Sequence, residues 1–424
     1  MNKNYFLKYI TWFIIIFPKK GAQIIDDFFL NFVGHSFTNK FFLRQNLVKI
    51  KKIGNLSKIC VLADVNLGDA IIIQAAVRAL RESLPKATID YVIAKSAKDL
   101  IEGNPMISNL FPVYSKSSTP SSEDIKNLKD ILFKNNYDVV LNFCPFLNHK
   151  DVNLSQKKTI DYTGLAISLL NNQKDQMTKN HMTYRIYHYT RSLFERNNSN
   201  ENYKGESIYI SQKAIIDANY FFKKNNLHSD SIKILFNPDT NSRFTRVPLN
   251  IQIALLEKLS KLPCDILLDS GHVTKGIEQI ILSSLSVEAR KKITIIPTSI
   301  KLDTYAALID NCNFFITGDT GPLHIAAAMK ICKSKDFVFK NQTSIISIFG
   351  ATPPKIYGYD SNKSGYLPAN QKSSSFTLVS ESDYRSIACI IKSSLTFKNE
   401  NVFFDQLDVN KIVDTIINNS IFKK

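Results

Sequence analysis

The 424-residue sequence contains no G-x-x-x-x-G-K-[ST] phosphate loop, no G-x-S-x-G turn and no H-E-x-x-H pair. P-loop hydrolysis, nucleophile-elbow hydrolase chemistry and zinc peptidase chemistry therefore lack their residues. No D-x-D occurs either, which removes a common way of holding a divalent ion beside a diphosphate. The six cysteines, Cys60, Cys144, Cys264, Cys312, Cys332 and Cys389, are dispersed without C-x-x-C spacing. Neither a zinc site nor a redox dithiol is written into the chain, and a reducing compartment fits best. No repeat of about 20–50 residues is visible, which argues against a solenoid. The apolar run Ile10 to Phe17 falls short of the roughly 20 residues a membrane-spanning helix needs.

What is present describes a globular protein: 44% hydrophobic residues, 21% charged, and a length that suggests two core-bearing domains. Lys+Arg 54 against Asp+Glu 37 leaves +17, which suits an anionic partner such as a nucleotide, a phosphorylated lipid or nucleic acid. Nucleic acid is not expected, because no basic-aromatic motif accompanies the charge. Residues 1–20, MNKNYFLKYITWFIIIFPKK, begin basic and turn apolar, yet Pro18-Lys19-Lys20 stand where a signal peptide would have small residues. Two readings remain for this segment. It is an interfacial helix with Phe, Trp and Ile in lipid and Lys3, Lys8, Lys19 and Lys20 at anionic headgroups, or an apolar helix docked on the protein's own body.

From Lys58 the pattern alternates: KICVLAD as a strand, VNLGD as a turn, a helix over 70–84, strand 87–94, a helix near 97–103 and strand 137–143. Residues 151–230 are polar and helical in tendency and read as the end of a first domain and a connection. A second series has strands at 232–238, 264–271 and 292–297, a strand-turn-helix at 313–330 and a strand at 343–354. Strands alternating with helices predict parallel sheets covered on both faces, with ligands beyond the carboxyl ends of the strands and a cleft between the two domains. The Ser-rich stretches near 115–122 and 372–375 read as solvated loops, and 409–420 as a packed helix bearing Ile412, Val413, Ile416 and Ile417. The boundaries expected are an N-terminal extension 1–55, domains 56–228 and 229–400, and a helical segment 401–424.

Three turns carry polar residues suited to chemistry. In Thr317-Gly318-Asp319-Thr320-Gly321-Pro322-Leu323-His324 a strand enters a Gly-rich turn and a helix. Pro322 suits the first helical position, and the helix N-terminus could seat a diphosphate on the backbone of Thr320 and Gly321 with His324 nearby. The alternative is a plain capped turn with a surface histidine. Asn66-Leu67-Gly68-Asp69 lies at the matching turn of the first domain, where Asp69 is either a helix cap or a general base facing the cleft. Asn237-Pro238-Asp239-Thr240-Asn241-Ser242-Arg243, followed by Arg246, offers hydroxyls and guanidiniums to phosphate oxygens, or forms a solvated loop. His149, His181, His188 and His272 have no ligand-like spacing and read as ordinary.

Two of these motifs, N-x-G-D with A-A-V-R-A-L behind it and G-D-T-G-P-L-H-x-A-A-A, resemble the heptosyltransferases, family 9 of the glycosyltransferases. NPDTNSR and IFGATPP match further family blocks, so the resemblance covers roughly residues 56–360. It implies an α/β protein of the GT-B fold, two Rossmann-like parallel-sheet domains facing across a cleft. The first would bind the acceptor and the second the nucleotide-sugar donor. The implied reaction moves heptose from an ADP-activated donor to the lipopolysaccharide or lipooligosaccharide core, with inversion and without a metal or other cofactor. By position Asp69 looks like the catalytic base, with Asn66 and Gly68 in its loop. Thr240, Ser242, Asp319, Thr320, Gly321, Pro322 and His324 look like donor contacts.

The chain also departs from the family pattern. Ala75 stands for Pro, and Thr245-Arg246-Val247-Pro248 for a Lys-x-Trp-Pro-like element, so the donor-side charge falls to Arg243 or Arg246. Asp239 replaces a Gly beside the phosphates, and His272, Val273 and Thr274 replace an acid that would hold the ribose. The expected partners are a nucleotide-sugar, a glycolipid acceptor and an anionic membrane surface, with the protein cytoplasmic and peripheral on the inner face of the inner membrane. Transfer of another sugar to capsule, outer core or protein, or a catalytically inactive nucleotide-sugar-binding role, are the rival readings.

Overall fold

Two fully parallel sheets organise the chain. The first has the order β3-β2-β1-β4-β5, with β1 Lys58–Leu62, β2 Thr88–Ala94, β3 Asn109–Tyr114, β4 Val139–Asn142 and β5 Lys158–Asp161. The second has the order β11-β10-β9-β6-β7-β8, with β6 Ile232–Phe236, β7 Cys264–Asp269, β8 Ile293–Ile296, β9 Phe314–Gly318, β10 Ser344–Phe349 and β11 Ser375–Val379. The computed structural model describes residues 50, 56–115, 120–144, 147, 158–161, 181–194, 203, 205–227, 230–241, 245–271, 273–332, 339, 342–349, 357–359, 375–379, 404 and 407–418. The expected membrane-surface segment at 1–20, Ser242, Arg243, His149, His272 and Cys389 lie outside these residues.

The central strands are apolar nearly throughout, KICVL in β1 and FFITG in β9, because helices cover both faces of each sheet. Those helices are α1 Leu67–Ile72, α2 Gln74–Ser83, α3 Lys98–Ile101, α4 Ser122–Asn135, α5 Met182–Phe194, α6 Gln212–Lys224, α7 Leu249–Leu259, α8 Ile277–Ser284, α9 Val287–Lys291, α10 Leu302–Asn311, α11 Gly321–Met329 and α12 Val409–Ile417. One apolar cluster joins the two sheets, running from Ile59, Ala70 and Ile71 to Leu323, Ile325 and Phe315. Burial of this shared surface, at about 25 cal/mol per Å² of apolar area, couples the domains. The expected C-terminal helix forms as α12 and packs on α7, burying Ile412, Val413 and Ile416.

Several boundaries differ from the sequence expectations, each for a local reason. The helix expected over 70–84 begins at Leu67 and breaks at Ile73, so Asp69 is inside α1 and Ala75 sits in the first turn of α2. The helix expected near 97–103 is a 3-10 turn, Lys95–Ala97, followed by α3. Strand β3 contains Pro112, which an edge strand tolerates but which masks the strand pattern in the sequence. The polar stretch 151–230 contributes edge strand β5 and helix α5, which packs on α2, while α6 packs on α10 of the second series. Ser121, read as part of a loop, caps α4 in a reciprocal capping box with Asp124.

Candidate active site

Strand order reverses in the first sheet between β1 and β4, and in the second between β6 and β9. Open α/β sheets bind ligands beyond the carboxyl ends of strands at such switch points. The turns after β1, β6 and β9 accordingly wall one cavity of about 690 Å³ between the domains. Asn66, Gly68 and Asp69 line it from the first domain, with Ala94, Tyr114 and Ser115 from the ends of β2 and β3. Thr240, Asp319, Thr320, Gly321, Pro322 and His324 line it from the second. The walls touch: Asn241 Nδ2 reaches Asn66 Oδ1 at 3.4 Å, and a β-carbon at Gly321 would stand 3.0 Å from Leu67 Cδ2.

The N-cap of α1 is Asn66, whose side chain makes no capping bond, so Asp69 is not the cap. Asn66 instead donates its side-chain amide to Asp69 Oδ2 at 3.1 Å, aiming the carboxyl. Asp64, which no motif marks, accepts the Val65 amide at 2.7 Å just ahead of α1. Burial, then the charge of Asp69, holds the Asp64 carboxyl well above the usual carboxylate range. Burial also raises Asp69, while hydrogen bonds from Asn66 and Asp64 work the other way. Tyr114, 1% exposed, adds a hydroxyl without a hydrogen-bond partner among the described residues.

On the opposite wall α11 begins at Gly321, with Pro322 in its second position rather than its first. Its N-cap Thr320 makes no side-chain capping bond, so the first N–H groups of the helix are not satisfied by that hydroxyl. His324 is 5% exposed, far from the surface histidine of the alternative reading, and its Nδ1 hydrogen-bonds the Tyr359 hydroxyl at 2.9 Å. Burial pushes the imidazole down to about 4, so it is neutral near pH 7. His181, which read as ordinary, is buried behind this pair, its ring 4.4 Å from that of Tyr359.

The loop after β6 is organised by Asp239. Its carboxylate accepts the backbone amides of Thr240, Val273 and Thr274, at 3.0, 2.9 and 2.7 Å, and the Thr274 hydroxyl at 3.1 Å. Asp239 thus ties the loop after β7 to the loop after β6 rather than presenting a free charge. Arg246, expected at the donor phosphates, is drawn away by the same carboxylate: it pairs with Asp239 at 3.1 Å and donates to the Thr240 carbonyl at 3.0 Å. It is not among the cavity-lining residues. Lys301, just before α10, is the one lysine or arginine among the described residues that line the cavity, against the carboxylates Asp69, Asp239, Asp269 and Asp319. No motif marked it, because it follows no Gly-rich turn.

Residues 127–384, more than half of the chain, match the model of "Glycosyltransferase family 9 (heptosyltransferase)". The matched stretch begins inside α4, so the Asp64–Asp69 turn precedes it. Lipopolysaccharide heptosyltransferase 3 of Escherichia coli (strain K12) is 22% identical over 301 residues, 67% of this chain and 80% of that protein. A family 9 glycosyltransferase from Veillonella parvula DSM 2008 superposes with a TM-score of 0.61 at 20% identity, covering 87% of this chain and 98% of that one. Escherichia coli heptosyltransferase WaaC, solved with ADP, gives a TM-score of 0.50 at 17% identity over 85% and 98%. Among the described residues no helix is long and apolar enough to cross a membrane. The chain belongs to glycosyltransferase family 9, the heptosyltransferases, and is a glycosyltransferase with the GT-B arrangement of two parallel-sheet domains across a cleft.

Proposed function

We propose that the protein transfers heptose, or a related sugar, with inversion and without a metal, from a nucleotide diphosphate donor, ADP-heptose, to a lipopolysaccharide or lipooligosaccharide core acceptor. The observation that carries this reading is the placement of Asp69 and the uncapped start of α11 on facing walls of one cavity. Asp69 takes the proton of an acceptor hydroxyl as its oxygen bonds to the anomeric carbon, and the bond from that carbon to the donor diphosphate breaks on the other side. The N–H groups of Thr320 and Gly321, neutral His324 and Lys301 stabilise the leaving diphosphate, charge stabilisation of the kind a metal otherwise supplies. Incubating the protein with ADP-heptose, ADP-glucose, UDP-glucose and GDP-mannose, each with and without EDTA, tests it. Consumption of ADP-heptose unchanged by EDTA is the expected result. Preference for another nucleotide-sugar, or a rate that collapses in EDTA and recovers with magnesium, refutes the donor or the metal-free step respectively.

The acceptor is lipid-linked in this reading, so the protein works at the inner face of the inner membrane. Residues 1–20 supply the attachment, with Trp12, Ile14, Ile15 and Phe17 in lipid and four lysines at anionic headgroups, each worth about 1 kcal/mol.

A further inference from the structure

His324 is gripped on one edge of its ring and faces the first domain with the other. Its Nδ1 lies 2.9 Å from the Tyr359 hydroxyl, whereas a β-carbon at Gly68 would stand 2.6 Å from its Cδ2 and 3.3 Å from its Nε2. The ring therefore reaches from a residue beyond β10 to the first turn of α1, and Nε2 belongs to the edge nearest the turn that carries Asp69. Tyr359 is itself held in place. It is 4% exposed, and its ring lies 4.4 Å from that of His181, which stands just ahead of α5. His181 is anchored in turn, its Nδ1 accepting the Thr183 amide at 3.3 Å. Of these three rings, His324 is the one that lines the cavity.

A neutral imidazole carries one N–H, and the bond made by one ring nitrogen decides which nitrogen holds it. An unprotonated ring nitrogen accepts better than a phenol oxygen, and a phenol O–H donates better than a neutral imidazole N–H. The Tyr359 hydroxyl accordingly donates to Nδ1, and the ring proton is left on Nε2. We infer that Tyr359 is a positioning residue that holds His324 in the Nε2–H tautomer, with that N–H presented to the donor diphosphate where the two domains meet. The inference rests on the reading of His324 as a donor contact. The opposite tautomer would turn a lone pair toward the phosphate oxygens. In the Nε2–H form His324 gives the leaving diphosphate a hydrogen bond and keeps its own proton, so neither ring passes a proton to the substrate. That bond strengthens as the anomeric carbon–oxygen bond breaks and charge collects on the diphosphate, so the grip of Tyr359 acts on kcat more than on binding.

Long-range proton–nitrogen NMR spectra of the full-length protein, labelled with nitrogen-15 histidine, read the tautomer directly. The expected result for His324 is a protonated Nε2 and a bare Nδ1 that carries the signature of an accepted hydrogen bond. In Tyr359→Phe the Nδ1 resonance should move toward that of an acceptor without a donor. A protonated Nδ1 in the wild type, or a His324 spectrum unmoved by Tyr359→Phe, overturns the inference. Kinetics with ADP-heptose add a functional arm, in which Tyr359→Phe should lower kcat about tenfold with KM little changed, the scale of losing a group that orients a contacting residue. A loss confined to KM, or an unchanged kcat, removes the positioning role. If Tyr359 acts through His324, the double variant Tyr359→Phe/His324→Gln turns over no more slowly than His324→Gln alone, and a full additional loss in the double variant counts against it. A wild-type protein that leaves ADP-heptose unconsumed sinks the proposed function instead, while the nitrogen spectra, which need no donor, still decide whether Tyr359 sets the tautomer.

Discussion

The imidazole of His324 lies so close to Gly68 that a β-carbon built at position 68 would stand 2.6 Å from its Cδ2. The two residues belong to helices of different domains, α1 and α11, and this contact sets how closely the walls of the cavity approach. Alanine in place of glycine inside a helix normally stabilises by about 1 kcal/mol. Gly68→Ala should instead destabilise by about 1–3 kcal/mol, since His324 is held by Tyr359 and cannot move freely. Urea unfolding of the variant measures this, and a gain in stability would show that the domains meet less tightly.

Asp69→Asn should reduce transfer by at least about a hundredfold, the usual scale for a general base, with donor affinity little changed. Asp69 lines the first-domain wall of the cavity. Single-turnover rates alongside calorimetry with ADP separate the two quantities. Near-normal turnover removes Asp69 from the chemistry.

Acid should weaken the protein through its buried histidines. His324 titrates at about 4 when folded against 6.5 as the ordinary value, and burial likewise holds His181 well below it. The unfolded chain binds these protons first, so the contribution to stability is present above pH 6.5 and is lost as pH falls toward 4. For His324 alone this amounts to about 3 kcal/mol. The raised carboxyls of Asp64 and Asp69 act in the opposite sense, their contribution fading as pH rises through their folded values. Denaturation of His324→Gln across this window should therefore give a shallower pH dependence than the wild type, and parallel curves count against a neutral buried His324.

Lys301 should carry the donor-side positive charge that Arg246 does not bring to the cavity wall. Lys301→Gln is expected to weaken ADP binding about three- to tenfold, Lys301→Arg to weaken it less, and neither to alter the weaker binding of adenosine. A lost charge-assisted contact is worth about 1.5–3 kcal/mol at most, and an exposed one is worth less. Equal losses for ADP and adenosine would contradict a phosphate contact.

Asp239 should behave as a structural tie. Removing it in Asp239→Ala strands Arg246 and frees three backbone amides, which predicts a loss of about 3–5 kcal/mol. Guanidinium chloride unfolding gives the number. A loss below about 1 kcal/mol would mean that the loops after β6 and β7 hold without the carboxylate.

The sequence by itself determined the parallel α/β architecture and most of the strands, because a strand buried on both faces must be apolar along its whole length. It also determined the two turns, Asn66 to Asp69 and Asp319 to His324, since a strand, a turn and a helix start are written within a dozen residues. Strands β3, β5 and β11, the last beginning at Ser375 in a stretch that reads as a loop, are not legible in the sequence because edge strands accept Pro112 and polar residues without penalty. Only the tertiary structure decided what the turns face. The bond from Asn66 to Asp69 depends on where α1 begins, and the pairing of Arg246 with Asp239 on how two loops fold over the end of β6. Tyr359 behind His324 and Lys301 on the cavity wall are separated from the motifs by whole elements. No local periodicity encodes such meetings. They follow from strand order and from the packing of helices across the cleft, which bring together residues that are remote in the chain.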